Sequence, residues 1–234
     1  DDAYYRMGES YIKLQQPDRA IAMFEKIGDV FPNSTYLADA RMKIGLVLYN
    51  KESYQESIAE FKSIVASYPS TAVAREAIAN ARAAYVDIGD VQSYADWVET
   101  LTFVTISSSA LDSTSFESAE LQYLKGNYSK AYLGFESYLR NYQLGLFKLP
   151  AHYYFAQSAK EIDSLDQALE AYEVVNSYHN NNFTASALKQ SAILYQEKKL
   201  FDKALEKYSK LDVQAEDIES QLFAKKGLMT CYFE

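Results

Sequence analysis

The sequence predicts an all-α chain, and three observations carry that expectation. Turn formers are scarce: 234 residues contain eight Gly and four Pro, about one residue in twenty, where an average protein has roughly one in eight. A sandwich or barrel needs a turn signal about every ten residues, and so few Gly and Pro cannot supply them. Hydrophobic residues make up 48% of the chain, enough to bury a sizeable core, in one large domain or two smaller ones. Finally, the sequence resembles itself at a fixed step, which sets its organisation before any local reading.

The step is 37 residues. From Ala20 it reaches Ser57, Tyr94, Ala131 and Ala168, and a step of 36 then reaches Ala204. Four residues on lie Phe24, Phe61, Val98, Phe135, Tyr172 and Tyr208, and three beyond those Ile27, Ile64, Leu101, Tyr138, Val175 and Leu211. Twelve residues before the first column stand Gly8, Gly45, Arg82, Ala119, Ala156 and Ala192, and Gly227 opens a seventh copy. Small residues dominate this column, with Arg82 the exception.

Each copy reads as a helical hairpin. In the first, Tyr4, Met7, Gly8 and Tyr11 share one helix face, and Ala20, Phe24 and Ile27 share a face of the next helix, by the 3.6-residue period. Small residues at Gly8 and Ala20 let the two helices approach, and large ones fill the space beside them. The turn Gln15-Gln16-Pro17-Asp18 puts Pro just ahead of a helix start and gives Asp18 orphan amides to serve. Lys51-Glu52-Ser53, Gly89-Asp90, Lys125-Gly126-Asn127, Asp163-Ser164 and Lys198-Lys199 are its counterparts. Phe31-Pro32-Asn33-Ser34 and Tyr68-Pro69-Ser70-Thr71 end second helices and cap the first helices that follow. Leu101 to Ile106 is β-branched and aromatic and reads locally as a strand. The unbroken step from Tyr94 to Ala131 instead predicts a second helix from Val91 to about Thr105 and a turn from Ser107 to Asp112. The organisation expected is residues 1–106 with copies one to three and 107–234 with copies four to six, in one solenoid with a bend near 107. A last helix from about Asp217 to Phe233 has first-helix character and serves as a cap. The chain opens and stops inside first helices, so a fragment of a longer array is expected.

These residues resemble the tetratricopeptide repeat family, whose pattern has a small residue at position 8, Tyr at 11, Ala at 20, an aromatic at 24 and Pro at 32. Gly8, Tyr11, Ala20, Phe24 and Pro32 match it in register, and Gly45, Phe61 and Pro69 repeat the match. Copies three to six match less well, with Ile106, Gln143 and Asn180 at the Pro position. The resemblance implies a right-handed superhelical solenoid of antiparallel helix hairpins, about six repeats plus a terminal helix. The 37-residue step, longer than the family's usual 34, and the stretch Tyr68 to Ala77 look like the repeats of bacterial cell-envelope proteins. Those are of the outer-membrane assembly lipoprotein and Tol-Pal coordinating protein type, so a periplasmic or outer-membrane-associated setting is expected.

Charge and residue chemistry narrow the partners. A formal net charge of -9 repels nucleic-acid phosphates and anionic membranes, so no nucleic-acid partner is expected. No run approaches a membrane span. The single cysteine, Cys231, excludes an internal disulfide and a CxxC site, and on an apolar helix it reads as an inert buried thiol. His152 and His179 lack a metal-ligating neighbour at i+3 or i+4, and there is no phosphate loop or nucleophile elbow. No enzyme activity, metal or cofactor is expected. The acidic residues Glu25, Asp29, Asp217 and Glu219, and the lysines Lys198, Lys199, Lys203, Lys207 and Lys210 interleaved with Glu197, Asp202 and Glu206, read as solvated helix faces.

What remains is the concave surface that stacked first helices create, which solenoids use for extended peptides or partner helices. The family lines this groove from first-helix positions 2, 5, 6, 9, 12 and 13. Carried over, those positions give the candidate set Tyr5, Glu9, Met42, Tyr49, Phe116, Tyr123, Tyr153, Tyr154, Lys189 and Ile193, with Arg6, Lys43, Leu46, Asn80, Ala83, Glu120 and Gln157 beside them. Tyrosine, with 21 copies, offers a large apolar face with a polar tip. The co-chaperone clamp for a terminal carboxylate needs Lys and Asn where Tyr5, Glu9, Met42 and Leu46 stand, so it is absent. The resemblance therefore implies a non-catalytic scaffold that binds a protein or peptide. The alternatives are a structural spacer in a longer array and a component of a glycan-binding or uptake complex.

Overall fold

In the computed structural model, which describes residues 1–178 and 181–233, every regular element is a helix among the described residues. His179 and Asn180 lie outside them. The chain splits into two compact units, Asp1–Thr114 and Ser115–Glu234.

The first unit holds three hairpins: α1 (Asp2–Lys13) with α2 (Pro17–Val30), α3 (Leu37–Asn50) with α4 (Tyr54–Ser67), and α5 (Ala72–Ile88) with α6 (Val91–Glu99). Helix α7 (Ser108–Leu124) spans the division between units. The second unit continues with α8 (Tyr128–Asn141), α9 (Lys148–Glu161), α10 (Leu165–Ser177), α11 (Thr184–Glu197), α12 (Phe201–Gln214) and α13 (Ile218–Phe233). Within each unit consecutive helices pack on one another, and first helices also meet, as α3 with α5 and α11 with α13.

The sequence columns form the core. Phe24, Phe61, Val98, Phe135, Tyr172 and Tyr208 are all buried, as are Ala20, Ser57, Tyr94, Ala131, Ala168 and Ala204. The small column explains why they fit: a Cβ on Gly8 would lie 2.6 Å from the Phe24 ring, and one on Gly45 2.5 Å from the Phe61 ring. Gly227 also marks a close approach, 2.4 Å from a built Cβ to Tyr208. Its partner, however, is the preceding second helix α12, so α13 is not paired as the first copy is. Ser57, the polar member of its column, is satisfied by donating its hydroxyl to the Gly45 carbonyl at 2.8 Å.

The repeat is also written in the backbone. Gln15, Glu52, Gly89, Gly126, Asp163 and Lys199, at steps of 37 and finally 36, all adopt positive φ, between 56° and 82°. Each ends the first helix of its hairpin with a left-handed residue, which closes the turn into the second helix. Only two of the six are glycine, so this column is invisible in composition. Asp18 does not cap α2, whose N-cap Gln16 makes no side-chain capping bond; the Asp18 carboxylate instead pairs with Lys51 of the next hairpin. Caps do form where Thr71 accepts from the Ala74 amide at 3.2 Å and Asp90 from that of Ser93 at 3.2 Å.

Two expectations need correction. Helix α6 stops at Glu99, and residues 100–106 are irregular; Ser107, expected in a turn, caps α7 by accepting from the Ala110 amide at 3.1 Å. The chain leaves the helix through a turn at residues 102–103, and Phe103, Val104 and Ile106 pack on the unit's core from the irregular segment. The third hairpin accommodates its misfit residues by side-chain bonding: Arg82 donates to Thr114 at 2.9 Å, while Tyr94 packs on Tyr85 and Trp97. Lys207, expected on a solvated face, is 5% exposed and binds Glu173 of α10 at 2.6 Å. It faces the preceding second helix. Lys198, Lys199, Lys203 and Lys210 are exposed as expected.

Candidate partner-binding face

The candidate residues divide by their place in the repeat. At position 5 stand Tyr5, Met42, Phe116, Tyr153 and Lys189, and here the structure shows a contact that recurs between first helices. The Tyr5 ring lies 5.1 Å from that of Tyr36, the residue before α3. Phe116 stacks on Phe147, the residue before α9, at 4.7 Å, and Tyr153 stacks on Phe183, the residue before α11, at 4.5 Å. The Lys189 ammonium sits 4.5 Å over the Phe223 ring of α13. Position 5 therefore ties a first helix to the next in copies one, two, four, five and six. Met42 and Phe116 are spent on this packing, at 6% and 7% exposure, and do not belong to the open surface. Tyr36, Phe147 and Phe183 were missed as functional supports, although they share one column at the repeat step, which was the signal available.

The remaining candidates stay half-exposed. In the first unit Glu9 lies 3.9 Å from Lys43 of the neighbouring first helix. Tyr49 donates its hydroxyl to the Asp87 carboxylate on α5 and packs edge-on against Tyr54 at 5.5 Å. That hydrogen bond, with burial second, pushes the Tyr49 phenol up to about 12. Asn80 reaches Met42 Sδ at 3.5 Å. In the second unit Tyr123 and Tyr154 are 5.1 Å apart, and Tyr154 meets Tyr153 edge-on at 5.4 Å. Tyr153 is fixed by two further bonds of 2.8 Å, one shared with the Ser186 hydroxyl and one accepted from the Gln157 amide. Ile193 lies one turn beyond Lys189 on α11 and is half-buried. Tyr5, Tyr123 and Tyr154 phenols are raised chiefly by burial.

Among the described residues no group of three or more His, Cys, Asp or Glu is placed to hold a metal ion, and no helix is long and apolar enough to cross a membrane. His152 is half-buried, and burial ahead of nearby Lys148 lowers its imidazole. Cys231 is buried, which pushes its thiol up.

With hairpins, columns and face in place, comparison with known proteins bears on the first two copies. Residues 2–34 and 39–71 match the tetratricopeptide repeat family model. The match covers less than half of the chain. No curated protein matches significantly. Among solved structures the chain is similar to a tetratricopeptide repeat protein from Parabacteroides merdae ATCC 43184, at 12% identity over 100% of this chain and 87% of that one, TM-score 0.40. It is similar to Pseudomonas aeruginosa pilF, at 17% identity over 96% of each chain, TM-score 0.42. It is also similar to MamA (41-end) from Desulfovibrio magneticus RS-1, at 13% identity over 74% of this chain and 92% of that one, TM-score 0.39. Likenesses at such scores carry no weight for the arrangement of the hairpins, and the cell-envelope type of repeat gains no support from them. Tandem hairpins of this kind suggest a protein-interaction scaffold.

Proposed function

We propose that the chain is a scaffold that holds a protein partner on the half-exposed residues of its first helices: Glu9 and Tyr49 in the first unit, and Tyr123, Tyr154 and Ile193 in the second. The observation that carries this is the division of labour along α1, α3, α7, α9 and α11. Position 5 is consumed in locking neighbours together, while positions 6, 9 and 12 keep partly exposed side chains on a surface rigidified from below. Half-buried tyrosines held by ring contacts lose little side-chain freedom when a partner covers them, which favours their use as anchors. The bacterial cell envelope is the proposed setting, resting on the 37-residue step and the Tyr68 to Ala77 stretch. Fractionation of the source cells tests it, and recovery of the protein in the cytoplasm would remove it.

The binding test uses a partner captured with the wild-type chain, identified and purified. Glu9→Lys and Ile193→Glu are each expected to weaken its affinity about tenfold or more, since charge misplaced in an interface costs upwards of ~1.4 kcal/mol. Val213→Glu, at a position 84% exposed on the second helix α12, is expected to leave affinity unchanged. Equal affinity for all three variants would remove the first-helix assignment.

A further inference from the structure

The second unit carries a carboxylate whose surroundings ask for a cation. Phe116, Glu120 and Tyr123 share one face of α7, spaced i, i+4 and i+7. Phe116 and Tyr123 both meet the Tyr154 ring of α9, at 6.4 and 5.1 Å, so Glu120 is held between them beside that ring. It is half-buried and makes no hydrogen bond or ion pair among the described residues. The charged group acting on it is Glu117, of the same sign, and burial with that repulsion raises its carboxyl.

We propose that Glu120, Tyr123 and Tyr154 form a subsite for a lysine or arginine side chain of the partner. This rests on the scaffold reading above and supplies the partner's chemistry. A carboxylate left half-buried against a like charge is costly in the free protein, and a cation entering the site relieves it. The half-buried Tyr123 ring beside Glu120 adds attraction for the same cation, and the chain's net charge of -9 draws cationic segments toward it.

The test uses the full chain with n-butylammonium as probe and 1-butanol as its neutral counterpart, at constant ionic strength, read by the ring proton shifts of Tyr123 and Tyr154. Butylammonium is expected to shift these resonances saturably at roughly 0.1 M or below, as a weak cation–aromatic contact allows, and butanol is not. Glu120→Gln is expected to weaken the ammonium response about tenfold. The same substitution should raise the melting temperature at pH 7 but not at pH 3. A carboxyl raised in the folded state destabilises it only where the unfolded chain ionises, above the carboxyl's ordinary pKa. Equal responses to the two probes, or an unchanged response in Glu120→Gln, would overturn the subsite. If Ile193→Glu still weakens the purified partner in that case, the scaffold reading survives; if the ammonium response holds while Ile193→Glu is silent, the subsite stands and the scaffold reading fails.

Discussion

Replacing Phe61 by Ala is expected to cost about 3–5 kcal/mol of folding stability, the range for emptying a large aromatic site in a packed core. Phe61 is 0% exposed and its ring fills the gap that Gly45 leaves open across the hairpin. The converse change, Gly45→Val, forces atoms into that ring and should cost about 1–3 kcal/mol by overpacking. The two effects share one space, so they should not add. In a Phe61→Ala background the valine has room, and Gly45→Val should cost little or even recover stability, a coupling on the order of 1–3 kcal/mol. Urea unfolding of the four variants measures the cycle. If Gly45→Val costs the same in both backgrounds, the close helix approach is not what demands a small residue there.

A second large effect is expected at Glu173. The Lys207 ammonium, on a side chain 6% exposed, is held by Glu173 Oε2 at 2.6 Å and by Glu206 at 3.6 Å, while the Tyr195 hydroxyl donates to Glu173 Oε1 at 2.9 Å. Burial, then this hydrogen bond, pushes the Tyr195 phenol up to about 12. Glu173→Gln removes the charge that compensates a buried cation and should cost about 2–3 kcal/mol, below the full value for a deeply buried pair because Glu173 is itself partly exposed. Lys207→Met removes the cation and keeps the stem's packing, so it should lie within about 1 kcal/mol of wild type. The reverse order in thermal or urea unfolding, with Lys207→Met the worse variant, would contradict the reading of Lys207 as a charge held in place by Glu173.

The sequence disclosed the hairpins because packing repeats the same demand in every copy: a small residue at Gly8 or Gly45 requires a ring at Phe24 or Phe61. It disclosed less where two physical signals compete at one place. Between Leu101 and Ile106 the register argued for helix and the β-branched run for a strand, and the chain takes neither, turning at residues 102–103 with Phe103, Val104 and Ile106 partly buried against the core. Lys207 was hidden by its charge, and its column, Met23, Glu60, Trp97, Gly134 and Ala171, mixes charged, large and small residues and so does not mark it as inward. On the first helices, the groove positions carried over from the family resemblance do not separate two adjacent faces. They therefore joined Met42 and Phe116, which pack between helices, to Tyr49 and Tyr123, which remain half-exposed. Glu120 was legible as a position and not as an unpaired charge, because its isolation depends on what the other helices place around it.

The most direct measurement is site-specific photocrosslinking to the purified partner. A photoreactive residue at Glu9 or Ile193, on the first-helix face, should capture the partner in high yield. The same residue at Leu133 of α8 or Val213 of α12, both well exposed at 60% and 84%, should capture almost none. Capture at Leu133 and Val213 with none at Glu9 and Ile193 would contradict the assignment of the partner to the first helices.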